Sequence, residues 1–255
     1  MSDTKEVRPA VERELAHHEE LYARSADHFF KPAVVEFREH LIKRILKVTG
    51  AGSETGVLSL GCGIGDTELM LAPHVKRIMG VDLSPAGISF ARKSAAEKNI
   101  SNVEFHMGLV EEMEFERESF DLVLAIFFLH HLPDRRAAAA RIYRLLKPGG
   151  IFYALDPSRY RLSGFIGKIL IPSLMKKYQS EDEEQLRPRE TWNDFRQESF
   201  EVRESYYDFV STPLAGLFPS WRAGYLVSRA VDEVLIRTPG LRLLSSNFEV
   251  LARRG

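Results

Sequence analysis

Hydrophobic positions along the chain follow two rhythms. Between Val7 and Gly50 they recur at helical spacing, with Val34, Val35, Phe37, Leu41, Ile42, Ile45 and Leu46 on one stripe and Pro32 dividing the region into helices. From Gly56 the rhythm changes to short apolar runs separated by amphipathic stretches. Val57 to Leu60, Val75 to Val81, Val103 to His106 and Phe120 to Phe128 have no helical period and predict buried parallel strands, the last of them central because it is almost wholly apolar. Ser84 and Pro85 signal a helix start, serine as cap and proline in the first turn. A helix from about Asp134 to Leu146 is stopped by Pro148, Gly149 and Gly150. Strand and helix alternate in this way up to Pro157, which predicts an α/β fold.

Beyond Asp156 the pattern is less regular. Leu162 to Met175 is apolar apart from Lys168 and too short to span a bilayer. The charge-dense SEDEEQLRPRE that follows predicts a solvated loop. Phe200 to Val210 alternates as a strand carrying Tyr206, Tyr207 and Phe209, and Pro213 to Val227 is a second apolar, aromatic region. Val231, Val234, Leu235 and Ile236 predict a helix before Thr238, Pro239 and Gly240, and Phe248 to Ala252 a last strand.

The chemistry concentrates where the first strand ends. VLSLGCGIGDTELML places Gly61, Gly63 and Gly65 between a strand and a helix. Alternating glycines let the backbone turn with positive φ and let a ligand lie directly against it, while the helix start offers unpaired N–H groups. The spacing is G-x-G-x-G rather than the G-x-G-x-x-G of dinucleotide sites, and Asp66 stands where the last glycine would be. A carboxylate there opposes a pyrophosphate, which argues against NAD. The second strand ends in Asp82, and an acidic residue at that point accepts hydrogen bonds from ribose hydroxyls. A ribose-bearing ligand without a pyrophosphate is implied.

These stretches resemble the class I S-adenosylmethionine-dependent methyltransferases. VLSLGCGIG, VDLSPAGISFAR, NVEFHMGLVEEMEF, FDLVLAIFFLHHLPD and LLKPGGIFYALDP follow one another in that family's order between Val57 and about Pro157. The resemblance implies a Rossmann-like, mostly parallel seven-stranded sheet with helices on both faces, an N-terminal helical lid over residues 1–50 and a methyltransferase domain over 51–255. Inserts at about 158–200 and 211–240 form the expected substrate cap. It further implies S-adenosylmethionine as cofactor, with Ser59, Gly61, Cys62 and Gly63 at the methionine moiety and Asp82 on the ribose. Leu83, Leu109 and Val110 are expected around adenine, with Ala125 and Phe127 beneath the donor. Tyr22 either sends its hydroxyl to the cofactor's carboxylate or packs the lid.

Two positions depart from the family. Ser59 stands where an acidic residue is usual, so its charge contribution to holding the cofactor's ammonium group is gone. Leu109 and Val110 replace an aspartate after Gly108, leaving adenine to a backbone N–H, Glu111 or Glu112. Such changes also fit a cofactor-binding scaffold or regulatory subunit that transfers nothing, against which the intact glycine turn and Asp82 argue.

Ligands of an open sheet sit at the carboxyl ends of the strands near the reversal of strand order, which brings Phe127, Phe128, His130 and His131 to the site. The histidine pair supplies the acid–base candidates, because imidazole titrates near neutrality. The alternative is that both histidines only shape the loop, since alignment against a sulfonium supplies much of the acceleration by itself. Cys62, the only cysteine, is read as packing rather than as a nucleophile. No metal site is expected. Phe128, Leu162, Phe165, Ile166, Leu170, Tyr206, Phe218, Trp221 and Tyr225 are candidates to wall a pocket for a hydrophobic acceptor: a lipid, quinone, isoprenoid or polyketide. The same apolar inserts also suit a dimer interface, or peripheral membrane contact with Lys176, Lys177 and Arg222 at the headgroups.

Composition narrows the partners. A net charge of −1 offers no global field for a polyanion, which argues against nucleic acid. One cysteine permits no internal disulfide and fits a reducing compartment. The first twenty residues are charged and carry no apolar core, so no signal peptide is read there and a cytoplasmic location is expected. Acceptor identity and the choice between monomer and homodimer stay open at this level.

Overall fold

The computed structural model describes residues 26–110, 112–165 and 185–255. Seven strands form one sheet: β1 (Gly56–Leu60), β2 (Arg77–Asp82), β3 (Val103–Met107), β4 (Phe120–Ile126), β5 (Leu146–Pro157), β6 (Phe200–Asp208) and β7 (Asn247–Arg254). Their order is β3-β2-β1-β4-β5-β7-β6. All neighbours among the first five run parallel, while β7 is antiparallel to both β5 and β6. This is the expected mostly parallel, seven-stranded α/β architecture. The order reverses between β1 and β4, so a crevice opens beyond the ends of those two strands.

Alternation along each strand sorts the core into two layers. Val57 and Ile78 face a layer that contains Phe37, Leu41 and Ile45 of helix α1 (Pro32–Thr49), Leu69 of α2 (Asp66–Leu71), and Ile88 and Ala91 of α3 (Pro85–Glu97). Leu58, Leu60 and Val123 face the other, with Ile142 of α4 (Arg135–Leu145) and Trp192 and Phe195 of α5 (Pro188–Gln197). α3 and α4 begin as the residues dictate: the Ser84 hydroxyl accepts from Gly87 N–H and the Asp134 carboxylate from Ala137 N–H.

α5 departs from the sequence reading, which put its first residues in a loop and the rest in the cap. Thr191, Trp192 and Phe195 share one buried face. The Phe195 ring stacks on Phe152 at 4.8 Å, and the Trp192 indole N–H donates to the Glu249 carbonyl at 2.8 Å. Residues 188–197 therefore belong to the core. β5 also starts earlier than expected, directly at Leu146, and takes Pro148 to Gly150 into the strand with a register irregularity opposite β4. The second apolar region divides into α6 (Ser211–Leu217) and α7 (Arg222–Leu235).

Helix α1 is pinned to the sheet by a part-buried ion pair. Arg44 of α1 reaches the Glu249 carboxylate at 2.6 and 2.9 Å, and the Tyr153 hydroxyl donates to the same group at 2.7 Å. Burial and the neighbouring carboxylate push the Tyr153 phenol well above its usual range. With Ala33, Leu41 and Ile45 fully buried, α1 is a structural layer over the sheet.

Candidate functional site

The glycine turn lies where β1 delivers the chain to the crevice. Gly61, Gly63 and Gly65 have φ of +69°, +52° and +74°, the left-handed region where side chains are disfavoured. A Cβ on Gly61 would stand 2.2 Å from a ring carbon of Phe128, so the turn and the residues after β4 are in direct contact.

Asp82 closes the turn from β2. One carboxylate oxygen accepts the Gly63 N–H at 2.7 Å and the other the Ser84 N–H at 2.9 Å. A carboxylate oxygen carries a second lone pair, so both atoms can still accept from vicinal hydroxyls. The loop after β3 is drawn in by Gly108, whose N–H donates to the Asp82 carbonyl at 3.0 Å. Half-buried Leu83, Leu109 and Val110 thus stand beside the end of β2.

A charged cluster that the sequence reading missed lies beneath the turn. The Ser59 side chain is buried and donates to a Glu68 carboxylate oxygen at 2.6 Å. Glu68 is 2% exposed, and its second oxygen has no hydrogen-bond partner among the described residues. Burial raises its pKa from 4.5 to about 7, opposed by the Ser59 hydrogen bond. The carboxyl group absent from position 59 is therefore supplied from α2, nine residues later in the chain. Only a carboxylate in the first turn of the helix following the glycines signalled this. Asp66 is not directed at a ligand phosphate; its carboxylate pairs with Arg38 of α1 at 2.7 Å. Burial, and then Glu68 and Asp82, push the Cys62 thiol well above its usual range, so it is no nucleophile at neutral pH.

Beyond β4 the backbone is strained. Ala125 is fully buried inside the strand, paired with Leu60 and Ala154, and the strand ends at Ile126 rather than at Phe128. Phe127 has φ of +55°, a conformation that costs a non-glycine residue about 1–3 kcal/mol. It is held there by its N–H bond to the Leu155 carbonyl at 2.7 Å and by stacking on Phe37 with centroids 6.1 Å apart.

Next, His130 Nδ1 lies 2.6 Å from an oxygen of Asp156, a carboxylate 1% exposed at the end of β5. An ionised carboxylate only accepts, so Nδ1 carries the proton and Nε2 is the basic nitrogen. The His131 ring lies 4.0 Å from that of His130. Asp156 was not singled out in the sequence, and its signal was the acidic end of a strand adjoining β4.

The residues expected to wall an acceptor pocket are divided. Phe128 is at the glycine turn, and Phe218 and Trp221 are mutually packed and exposed after β6. Phe165 is exposed after β5. Tyr206 is half-buried, edge-on to Trp192 at 5.5 Å, and packs against the core layer rather than walling a pocket. Tyr225 is fully buried against His40. Tyr22, Glu111, Ile166, Leu170, Lys176 and Lys177 lie outside the described residues.

The residues present fit a ribose-bearing cation. Asp82 offers the ribose acceptors, and the Glu68 carboxyl group below the turn, which ionises at about 7, favours a cationic ligand over a pyrophosphate in its ionised form.

Comparison with known proteins agrees. The methyltransferase domain family model matches residues 58–154. An uncharacterised methyltransferase, YcgJ of Bacillus subtilis, is 34% identical over 112 residues, 44% of this chain and 44% of that protein. A demethylmenaquinone methyltransferase of Lactococcus lactis is 30% identical over 174 residues, 61% of this chain and 69% of that protein. In fold, the putative methyltransferase of Haloferax volcanii, solved with the Trm112 activator, superposes with a TM-score of 0.64 at 21% identity, over 92% of this chain and 96% of that one. The geranyl diphosphate C-methyltransferase of Streptomyces coelicolor, solved with S-adenosyl-L-homocysteine, gives 0.59 at 17% identity, over 85% and 79%. The chain spans less than half of YcgJ and just over two thirds of the Lactococcus enzyme. Strand order, glycine turn and sequence relatives converge, and the chain belongs to the class I S-adenosylmethionine-dependent methyltransferases.

Proposed function

We propose that this chain moves a methyl group from S-adenosylmethionine to an oxygen, nitrogen or carbon atom of a small hydrophobic acceptor. The observation that carries the reading is Asp82, a carboxylate fixed by two backbone N–H groups of the glycine turn and the following helix at the reversal of strand order. When bound, the sulfonium supplies an electrophilic methyl group. The residues of the chain bind and orient around it. Asp82 accepts the ribose hydroxyls, the turn at Gly61 and Gly63 admits the methionine portion against bare backbone, and the Glu68 carboxyl group lies below it, ionised above about pH 7. Leu83, Leu109 and Val110 offer an apolar margin for adenine. Phe127 and Phe128 screen the crevice from water. His130 Nε2, oriented by Asp156, takes a proton from a hydroxyl or amine acceptor as it attacks.

An apolar acceptor is supported by the aromatic surroundings of the crevice and by two relatives, one a demethylmenaquinone methyltransferase and the other a geranyl diphosphate C-methyltransferase. Calorimetric titration with S-adenosylmethionine and S-adenosylhomocysteine tests the reading. Micromolar binding is expected, weakened roughly 5- to 150-fold by Asp82→Ala, the equivalent of about 1–3 kcal/mol for stranded hydrogen-bonding groups. Folded protein that binds neither ligand would overturn it.

A further inference from the structure

Large apolar side chains are exposed in one region of this molecule. Of the fifteen that stand exposed among the described residues, thirteen fall between 160 and 165 or between 210 and 244, the exceptions being Phe30 and Met107. Both segments border the same edge of the sheet. β5 ends at Pro157, β6 ends at Asp208 and the antiparallel β7 begins at Asn247, all in register at the edge where β1, β2 and β4 deliver the glycine turn, Asp82 and Phe127.

Hydrogen bonds gather the segments at one corner. Ser158 N–H donates to the Ser246 carbonyl at 2.8 Å, Ser246 N–H to the Asp208 carbonyl at 2.7 Å, and the Ser163 and Ser246 hydroxyls lie 2.6 Å apart. α7 runs along this edge. Its start is tied to α1 by Arg222 and Glu36 at 2.6 Å, and its last turns to the end of β6 by Asp232, which accepts the Val210 and Ser211 N–H groups. On its outer side Val227, Val231 and Val234, at i, i+4 and i+7, are half to two-thirds exposed.

Basic residues outnumber acidic ones on these segments. Residues 158–165 and 210–244 contain Arg159, Arg161, Arg222, Arg229, Arg237 and Arg242, against Glu233 and the fully buried Asp232; Arg159, Arg237 and Arg242 stand exposed, while Arg222 pairs with Glu36 and Arg229 lies over the Tyr207 ring. The chain as a whole carries a net charge of −1, so the cationic excess is local to this face. A protein partner of arbitrary chemistry does not account for that pairing. An apolar helix stripe with arginines beside it matches a bilayer surface: side chains enter the boundary between headgroups and acyl chains, and guanidinium groups meet lipid phosphates.

We infer that the carboxyl edge of the sheet is a membrane-docking face, seated on an anionic bilayer by the α7 stripe and the apolar segments beside it. Docking there turns the crevice toward the lipid, so the acceptor is a membrane-resident molecule that enters the site without crossing water. The acceptor half of this inference rests on the methyltransferase reading; the docking half does not.

The test is co-sedimentation of the full chain with phosphatidylcholine vesicles, with and without phosphatidylglycerol, at low and high salt. Binding to the mixed vesicles is expected, at least tenfold stronger than to phosphatidylcholine alone and reduced at 0.5 M salt as the ionic part is screened. A Val227→Glu/Val231→Glu variant is expected to lose at least tenfold of that binding while its thermal melt and its titration with S-adenosylmethionine stay unchanged. Equal binding by variant and parent, or none by the parent to either vesicle, would overturn docking. A parent dimer on size exclusion that the variant dissolves would overturn it too, because the face then belongs to a second copy. Vesicle binding by protein that binds no S-adenosylmethionine would sustain docking and sink the methyltransferase reading alone.

Discussion

Glu68 makes the fold itself sensitive to pH, and the effect has a calculable size. In the unfolded chain its carboxyl ionises near 4.5; in the folded protein burial moves that to about 7. Below pH 4.5 it is protonated in both states and contributes nothing to the pH dependence. Between 4.5 and about 7 the unfolded chain releases a proton that the folded chain retains, so stability falls as pH rises. Above about 7 the loss is complete, at roughly 3 kcal/mol. Glu68→Gln removes the titration and keeps an oxygen to accept the Ser59 hydroxyl, which donates to Glu68 at 2.6 Å. Urea unfolding at pH 5 and pH 8 is the assay. Parent and variant are expected to be similar at pH 5, with the variant ahead by up to roughly 3 kcal/mol at pH 8. At roughly 2–4 °C per kcal/mol for a chain of this size, the shift is also visible in thermal melts. Other titrating groups, including buried Asp208, cancel in the difference between the two proteins. Parallel stability curves for parent and variant across this range would refute the argument.

Two further outcomes follow from particular contacts. His130→Asn is expected to lower kcat on a hydroxyl or amine acceptor by roughly 10²- to 10⁴-fold, with little change in S-adenosylmethionine affinity and loss of the acidic limb of the pH–rate profile; an unchanged profile would assign His130 and Asp156 to loop structure alone. Arg44→Met strands the buried Glu249 carboxylate, which Arg44 meets at 2.6 and 2.9 Å. A loss of about 3–5 kcal/mol in chemical denaturation is expected, and a loss under 1 kcal/mol would show that Tyr153 and relaxation suffice to satisfy it.

The sequence by itself determined the α/β class, the four leading strands, the glycine turn and Asp82. Each of these is written in local terms: apolar runs too short and unperiodic for helices, glycines where φ must be positive, a carboxylate at the end of a strand. α5 was not legible, because four buried residues on a ten-residue helix are matched by four charges, and only stacking on Phe152 and the bond to Glu249 disclose which face is inside. Pairings distant in sequence were equally hidden. Ser59 reads as a lost charge until α2 folds Glu68 back onto it, and His130 reads as one of two equivalent histidines until β5 brings Asp156 beside it. Tyr206 and Trp221 look alike as aromatic candidates for the pocket wall, yet the alternation of β6 turns half-buried Tyr206 against Trp192 while Trp221 stands exposed. Periodicity along a chain reports which residues are buried, but which buried carboxylate meets which donor, and which apolar faces stay uncovered, depend on contacts between segments that only the packed sheet brings together.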